Sequence, residues 1–274
     1  MAIVFEGEGA LLRLEEIIDC YDSAKQIASD GRELDCFVYP EVGAEVASVT
    51  MSRSAKQGLY AFVDIGAGTV DASVFRFHRD RRDGESQFTY AAQVLKAGAA
   101  HVEIEASKQL ATQSQGWFRR IKEGNVPIDL ASGTSEETLK PFLAEALDEL
   151  CGDVKKDLIE LFVEAFAKEK MVERWKDIQL VVGGGGSALL PYVTAAREAF
   201  SLKNGPVGAN ISRVVLSVPK DFHMGGLSPK AFDRFAVAYG LSFHRVNLPL
   251  LVLANEVKAL RSIPTKGKID PDDR

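Results

Sequence analysis

Apolar residues recur along this chain at two spacings, and the alternation between them predicts a mixed helix and strand protein. Leu12, Ile17, Ala24 and Ile27 are among the apolar positions of an amphipathic helix predicted over Leu11–Ser29, which Asp30-Gly31 ends. Leu34–Tyr39 reads as a short strand, and Pro40–Val49 as a helix with Val42, Val46 and Val49 on one face. Leu59–Ile65 and Val70–Phe77 then read as a hairpin through a glycine turn, with Gln87–Leu95 as a third strand after Asp83-Gly84. Ala97–Thr112 is expected to be helical and is followed by a polar stretch containing Gly116, Gly124, Pro127 and Gly133. From Lys140 to Lys170, Phe142, Ala146, Leu150, Val154, Leu158, Leu161, Phe162 and Ala165 recur near helical spacing, with Gly152 a possible break into two helices. Strands at Ile178–Val182 and Arg213–Val218, and helices at Ala188–Phe200, Pro229–Tyr239 and Pro249–Leu260, complete the order; the last two open on a proline that suits a first helical turn. Gly267–Arg274 reads as a polar tail.

Composition narrows the class. The chain has 274 residues, 46% of them apolar and 26% charged, enough to bury one or two globular cores. A net charge of -6 argues against nucleic acid or an acidic membrane surface as a partner, since both select basic surfaces. Its densest basic run, Arg79-Asp80-Arg81-Arg82-Asp83, is interleaved with aspartates and reads as a solvated hairpin tip. Cys20, Cys36 and Cys151 form no C-x-x-C pair, which speaks against a zinc site or a disulfide framework and for a reducing cytoplasm. His78, His101, His223 and His244 are scattered without ligand spacing. No run approaches the roughly 20 apolar residues of a membrane span, and Glu6 and Glu8 interrupt any signal-peptide core at the start.

Two glycine clusters carry the chemistry. In Asp64-Ile65-Gly66-Ala67-Gly68-Thr69-Val70-Asp71 a strand ends in a carboxylate and enters a glycine turn. Glycines two apart let backbone N–H groups approach a polyphosphate oxygen, and flanking Asp64 and Asp71 are placed to hold a hydrated magnesium ion. The competing reading is a tight hairpin that uses glycine only for positive φ, with Asp71 an ordinary exposed carboxylate. Gly183-Gly184-Gly185-Gly186-Ser187 follows the apolar run Ile178–Val182 and precedes a helix, an arrangement that forms anion or ribose sites at a helix N-terminus. Here the alternative is close packing of a helix against the sheet.

Three segments together resemble the actin-like ATPase superfamily, most closely its heat-shock 70-kDa chaperone branch. Asp64–Asp71 is similar to the second phosphate motif, Gly185-Gly186-Ser187-Ala188-Leu189-Leu190-Pro191 to the adenosine motif, and Ala236-Val237-Ala238-Tyr239-Gly240 to a segment near the end of the chaperone ATPase domain. The resemblance spans about residues 20–262 and implies a ribonuclease-H-like, actin-type α/β fold, a mixed sheet flanked by helices with a helical insertion at about 100–177. It implies ATP or ADP with Mg2+ as ligands. Gly66, Ala67, Gly68 and Thr69 would meet the β- and γ-phosphates; Gly184, Gly185, Gly186, Ser187 and Leu189 would line the ribose and adenine; Asp64 and Asp71 would hold the metal. Leu189 departs from the chaperone pattern, which has an adenine-stacking arginine there. Asp64 would position the attacking water, and Glu41, at the start of the Pro40–Val49 helix, either assists it or simply faces solvent.

The first phosphate motif of that superfamily, an aspartate-glycine-threonine hairpin one lobe upstream, has no counterpart in Met1–Ala10. Residues 1–40 are accordingly expected to be a remnant of the connection from a first lobe, 41–266 a second lobe, and 267–274 a tail. The expected function is the ATP-binding lobe of a chaperone-like ATPase, hydrolytic only with its first lobe supplied. The alternatives are a hydrolytically silent nucleotide-binding interaction module, and a bacterial actin-like or sugar-kinase-like relative, although no sugar-binding constellation is visible. A missing first-lobe polypeptide or a protein client would be the partner. Self-association is the other expectation, through Phe37, Val42 and Val46 left partly exposed.

Overall fold

Strand β1 (Gly58–Ile65) is apolar on both sides, and the rest of the fold is arranged around it. The structure, a computed structural model, describes residues 41–51, 55–80, 84–110, 115–124, 135–169, 171–201, 210–216, 218–220, 222–243, 248–252, 254 and 257. The helix expected at Leu11–Ser29, the strand at Leu34–Tyr39 and the polar tail lie outside them. β1 pairs antiparallel with β2 (Val70–Asp80), which pairs antiparallel with β3 (Gly84–Leu95). On its other side β1 runs parallel to β4 (Asp177–Gly183), and β4 parallel to β5 (Asn210–Val214). A short β6 (Leu250–Val252) joins β3 in parallel, giving the six-stranded order β5-β4-β1-β2-β3-β6.

The period-two pattern of β1 separates two cores. Leu59, Ala61, Val63 and Ile65 face one layer together with Val70, Ala72, Val74, Leu180 and Val182. That layer is closed by helices α2 (Ala99–Gln109), α3 (Gln115–Lys122), α4 (Glu136–Lys168) and α5 (Leu190–Ala199). Tyr60 and Phe62 point the opposite way, with Phe75, Phe77 and Val181, toward α1 (Glu41–Thr50), a 3-10 turn at Pro229–Arg234 and α6 (Ala236–Leu241). Asp64 and Asp71 inherit this second face by alternation.

Several expectations change on contact with the structure. Gly152 does not break α4, which runs unbroken for 33 residues from a Ser135 cap whose hydroxyl accepts from the Thr138 N–H. The buried stripe Leu139, Ala146, Cys151, Val154, Leu158, Leu161, Phe162 and Ala165 holds it on the sheet. The polar stretch after Gln109 contains α3, because Phe118 is fully buried with Trp117 and Ile121 packed beside it. Pro229–Tyr239 divides into a 3-10 turn and α6, and Arg213–Val218 begins earlier, at Asn210, and ends at Val214. Leu250–Val252, expected in a helix, extends along β3, where an apolar segment gains ladder hydrogen bonds. Val46 is fully buried and not exposed, because α1 packs closely on α6: a methyl group on Gly240 would lie 1.8 Å from the Ala44 carbonyl oxygen. Phe37 and the side chain of Val42 lie outside the described residues.

A bulge in β3 opposite Val74/Phe75 leaves Tyr90 as the extra residue, buried on the α4 side of the sheet. Its hydroxyl donates to Glu169 Oε2 at 2.7 Å, where Glu169, just past α4, is completely buried. The Met171 N–H and the Arg174 guanidinium also donate to this carboxylate, and Trp175 Nε1 donates to the Glu169 carbonyl at 2.7 Å. Burial by itself would raise the Glu169 pKa; the hydrogen bonds from Tyr90 and Met171 and the Arg174 charge more than offset it and hold the group below 4.5.

Two predictions follow from these helical contacts. Gly152 is exposed, with nothing within 4 Å of the position a side chain would take. Gly152→Ala should therefore stabilise the protein by about 0.5–1 kcal/mol in chemical denaturation. Glu169, with its depressed folded pKa, contributes stability that is present above the unfolded carboxylate value and lost as pH falls through the folded value. Glu169→Gln should cost about 1–3 kcal/mol at pH 7 and flatten the acid limb of the stability curve between pH 5 and 3, read by urea titration across that range.

Candidate functional site

The turn between β1 and β2 is built by pairing its carbonyls with the start of α2. Gly98 N–H donates to the Gly68 carbonyl at 3.2 Å, Ala99 N–H to that of Gly66 at 2.9 Å and Ala100 N–H to that of Ala67 at 2.8 Å. Three donors that a helix start ordinarily leaves unpaired are thus satisfied by the turn. With those carbonyls directed into α2, trans peptide geometry directs the Ala67 and Gly68 N–H groups the other way, and neither has a backbone acceptor among the described residues. The Gly66 N–H closes the turn on the Thr69 carbonyl at 2.9 Å.

Neither Gly66 nor Gly68 has a positive φ, so the tight-hairpin alternative, which needed glycine for that reason, is not what the turn uses. A side chain at Gly66 would come within 3.2 Å of the Thr69 carbonyl, whereas at Gly68 nothing lies within 4 Å. Glycine at 68 is therefore required by no contact among the described residues, and its open side borders the free N–H groups. Gly98, which the sequence analysis missed, is constrained: a methyl there would lie 2.5 Å from both the Ala67 oxygen and the Thr69 nitrogen. The small-residue run Ala97-Gly98-Ala99-Ala100 was its one signal.

The second glycine cluster closes over the first. Gly184 has φ +78°, and a methyl on it would sit 1.9 Å from Asp64 Oδ1 and 2.5 Å from the Ile65 oxygen. One on Gly186 would collide with Ile65 Cγ2 at 2.2 Å. Close packing is thus a physical reason for both glycines. Gly185 is exposed beside the Arg234 side chain. Ser187 donates to Asp233 Oδ2 at 3.0 Å, and the Gly184 N–H donates to the Asp233 carbonyl at 3.3 Å. Asp233, another residue absent from the sequence reading, thereby ties the Pro229–Arg234 turn to this loop. Leu189 packs partly on the larger core, and it is Leu190 that stands exposed. Glu41 opens α1, and its side chain lies outside the described residues.

Acidic charge accumulates here with only partial compensation. Asp64 and Asp71 are direct cross-strand partners in the β1/β2 register. Thr69 Oγ1 donates to Asp71 Oδ2 at 2.8 Å, while Asp64 Oδ1 is buried with no hydrogen-bond partner among the described residues. Burial raises the Asp71 pKa, the Thr69 bond pulls it back, and the Asp64 charge raises it further. Asp233 is likewise raised by burial, relieved by Ser187 and Arg213 and raised again by Asp64. A buried carboxylate oxygen without a donor, on a residue paired across the strands with a second aspartate, is suited to a cation or a cation-bound water. No group of three or more His, Cys, Asp or Glu suited to a metal occurs among the described residues, so such an ion would take its other ligands from water and from its anion.

No family model matches the chain, and no curated protein sequence does. Among solved structures it resembles a ParM filament from Clostridium botulinum, at 14% identity over 85% of this chain and 65% of that one, with TM-score 0.51. It also resembles the PilM–PilN complex of type IV pilus biogenesis (16%, 83% and 57%, TM-score 0.47) and an MreB of Spiroplasma citri bound to AMPPNP (14%, 85% and 64%, TM-score 0.46). The chain spans 57–65% of the length of these structures. Its mixed sheet flanked by helices is the actin-type ATPase fold. At 14% identity the ParM likeness shows the fold alone, and closeness to the heat-shock 70-kDa chaperone branch is not shown. No helix among the described residues is long and apolar enough to cross a membrane.

The Asp71 shift sets a sign that can be measured. A carboxylate whose folded pKa is raised destabilises the fold as pH climbs from its ordinary value of 3.8 through the folded value. Asp71→Asn removes the opposed charge and should raise stability at pH 7 by roughly 0.2–1 kcal/mol, with no gain at pH 3, as read by thermal unfolding at the two pH values.

Proposed function

We propose that this chain binds ATP or ADP with Mg2+ and forms the second-lobe wall of an actin-like ATPase cleft. The observation that carries this reading is the Gly66–Thr69 turn, whose carbonyls are taken by α2 while the Ala67 and Gly68 N–H groups and the open side of Gly68 adjoin the Asp64/Asp71 pair. Such N–H groups cradle phosphate oxygens. AMPPNP and ADP are bound in two of the solved structures that share the fold, an MreB and an archaeal actin homologue, which supports an adenine nucleotide as the ligand.

In this reading Ala67, Gly68 and Thr69 hold the β- and γ-phosphates, and the loop of exposed Gly185 and half-buried Ser187 borders the ribose. The adenine lies toward Leu189 and Leu190. Asp64 and Asp71 would hold the hydrated cation, which would supply charge neutralisation to the phosphates, and Asp64 would position the attacking water. Most of the rate in such a reaction comes from positioning and preorganised charge. The opposing donors, and any water-positioning help from Glu41, belong to a cleft completed by a first-lobe polypeptide. Without that wall the chain binds nucleotide and turns it over slowly or not at all. A bacterial actin-like protein of the cytoplasm is the preferred class, and a heat-shock chaperone with a protein client is the lesser one.

Calorimetry on the purified chain tests the assignment. A single wall leaves much of the ligand wet, so ATP should bind with about -4 to -6 kcal/mol, strengthened by magnesium. Gly68→Val fills space that is empty in the fold, so it should leave stability intact and abolish binding, while Asp64→Asn should remove the magnesium dependence. Parent-like binding by both folded variants would overturn the site. Nanomolar binding by the parent would overturn the one-wall reading.

A further inference from the structure

Lys122, at the end of α3, is buried to 11% side-chain exposure and makes two contacts with α2 one helical turn apart. Its ammonium donates to the Ala99 carbonyl at 2.6 Å and pairs with Glu103 Oε1 at 2.5 Å, where the glutamate is also 11% exposed. The Ala99 carbonyl belongs to the same peptide unit as the Ala100 N–H, and that N–H donates to the Ala67 carbonyl at 2.8 Å. The Ala67 carbonyl in turn shares its peptide unit with the Gly68 N–H. A hydrogen-bonded series therefore runs from the Lys122 ammonium through two peptide units to the open N–H of the glycine turn.

The geometry points to Lys122 as a positioning residue that strengthens anion binding at Gly68 and couples occupancy of the turn to the docking of α3; this rests on the nucleotide reading above. Each peptide unit in such a series is polarised in the same sense. A cation at the Ala99 oxygen makes the Ala100 N–H a stronger donor, which draws on the Ala67 oxygen and makes the Gly68 N–H a stronger donor in its turn. An anion on Gly68 acts in reverse: it makes the Ala67 and Ala99 oxygens better acceptors and tightens Lys122 onto α2. Helix α3 is otherwise held by Phe118 and its partly buried neighbours, so a change in this one polar contact bears directly on how firmly it sits.

A purely structural ion pair would also lose stability when cut, and the variants are chosen to separate the two roles. In the full chain, Lys122→Met leaves Glu103 buried and unpaired, whereas Glu103→Gln combined with Lys122→Met removes both charges. The double variant should recover most of the unfolding midpoint lost by the single one. Both should bind ATP with magnesium roughly 5-fold more weakly than the parent. In nitrogen-15 labelled protein without ATP, both should move the Ala100 and Gly68 amide protons upfield. Recovery of affinity together with stability in the double variant would overturn the proposal, as would unchanged Ala100 and Gly68 amides. If the amides shift while the parent itself binds no ATP, the series stands and the nucleotide assignment falls.

Discussion

The carbonyl and the N–H of one trans peptide group point in opposite directions, and this constraint organises the end of the sheet. The carbonyls of Gly66, Ala67 and Gly68 need donors once the turn is packed against protein, and the first N–H groups of α2 need acceptors. Each set satisfies the other. The exchange places the start of α2 directly behind the turn, so a glycine is needed at 98 to let the two backbones approach. It also spends the anion-binding capacity of the α2 N-terminus on the protein's own carbonyls and transfers a donor surface to Ala67 and Gly68. What α2 gives up as a helix end, the turn presents on its other side.

Charge placement at this end of the sheet works against stability. The alternation of β1 puts Tyr60 and Phe62 in the core beneath α1 and α6, and the next residue on that face is Asp64, where the core runs out. Asp71 is fixed opposite it by the hairpin register, and Asp233 approaches from the loop that Ser187 anchors. Three carboxylates are gathered with one hydroxyl donor each for Asp71 and Asp233 and none for Asp64 Oδ1. A fold under selection for stability alone would have neutralised one of them, as Glu169 is neutralised by Tyr90, Met171 and Arg174 on the far side of the same sheet. The contrast between the satisfied Glu169 and the unsatisfied Asp64 Oδ1 is the physical basis on which Asp64 is proposed above as a ligand-binding carboxylate.

The central elements were legible because two local signals agreed there. β1, β2 and β4 have apolar runs bounded by glycine, and the stripe of α4 repeats often enough to define its buried face. Failures came where a tertiary contact decided the outcome. Gly152 breaks nothing because eight buried stripe residues hold the helix on both sides of it. In α3 a single buried Phe118 outweighs a polar, glycine-containing sequence. The helix expected from Pro249 does not form at Leu250–Val252, where the open edge of β3 claims the segment as a strand. In the site, Asp64, Gly68 and Asp71 could be read from a continuous motif. Gly98, Asp233 and Lys122 could not, since their roles come from segments 30 to 170 residues away in sequence meeting at one turn.

The glycines of the two motifs are not equivalent. Gly184 and Gly186 are obligatory for packing: Asp64 and Ile65 occupy the space their side chains would need, and Gly184 has a backbone conformation that L-residues rarely adopt. Substitution there would disturb the sheet end whatever the protein binds. Gly68 has no such constraint, and an ordinary residue would fit the fold. Under the nucleotide reading proposed above, Gly68, which the fold leaves open beside N–H groups that have no backbone acceptor among the described residues, bears on the ligand, whereas Gly184 and Gly186 bear mainly on the architecture that holds Asp64, so the two clusters, alike in composition, do different work.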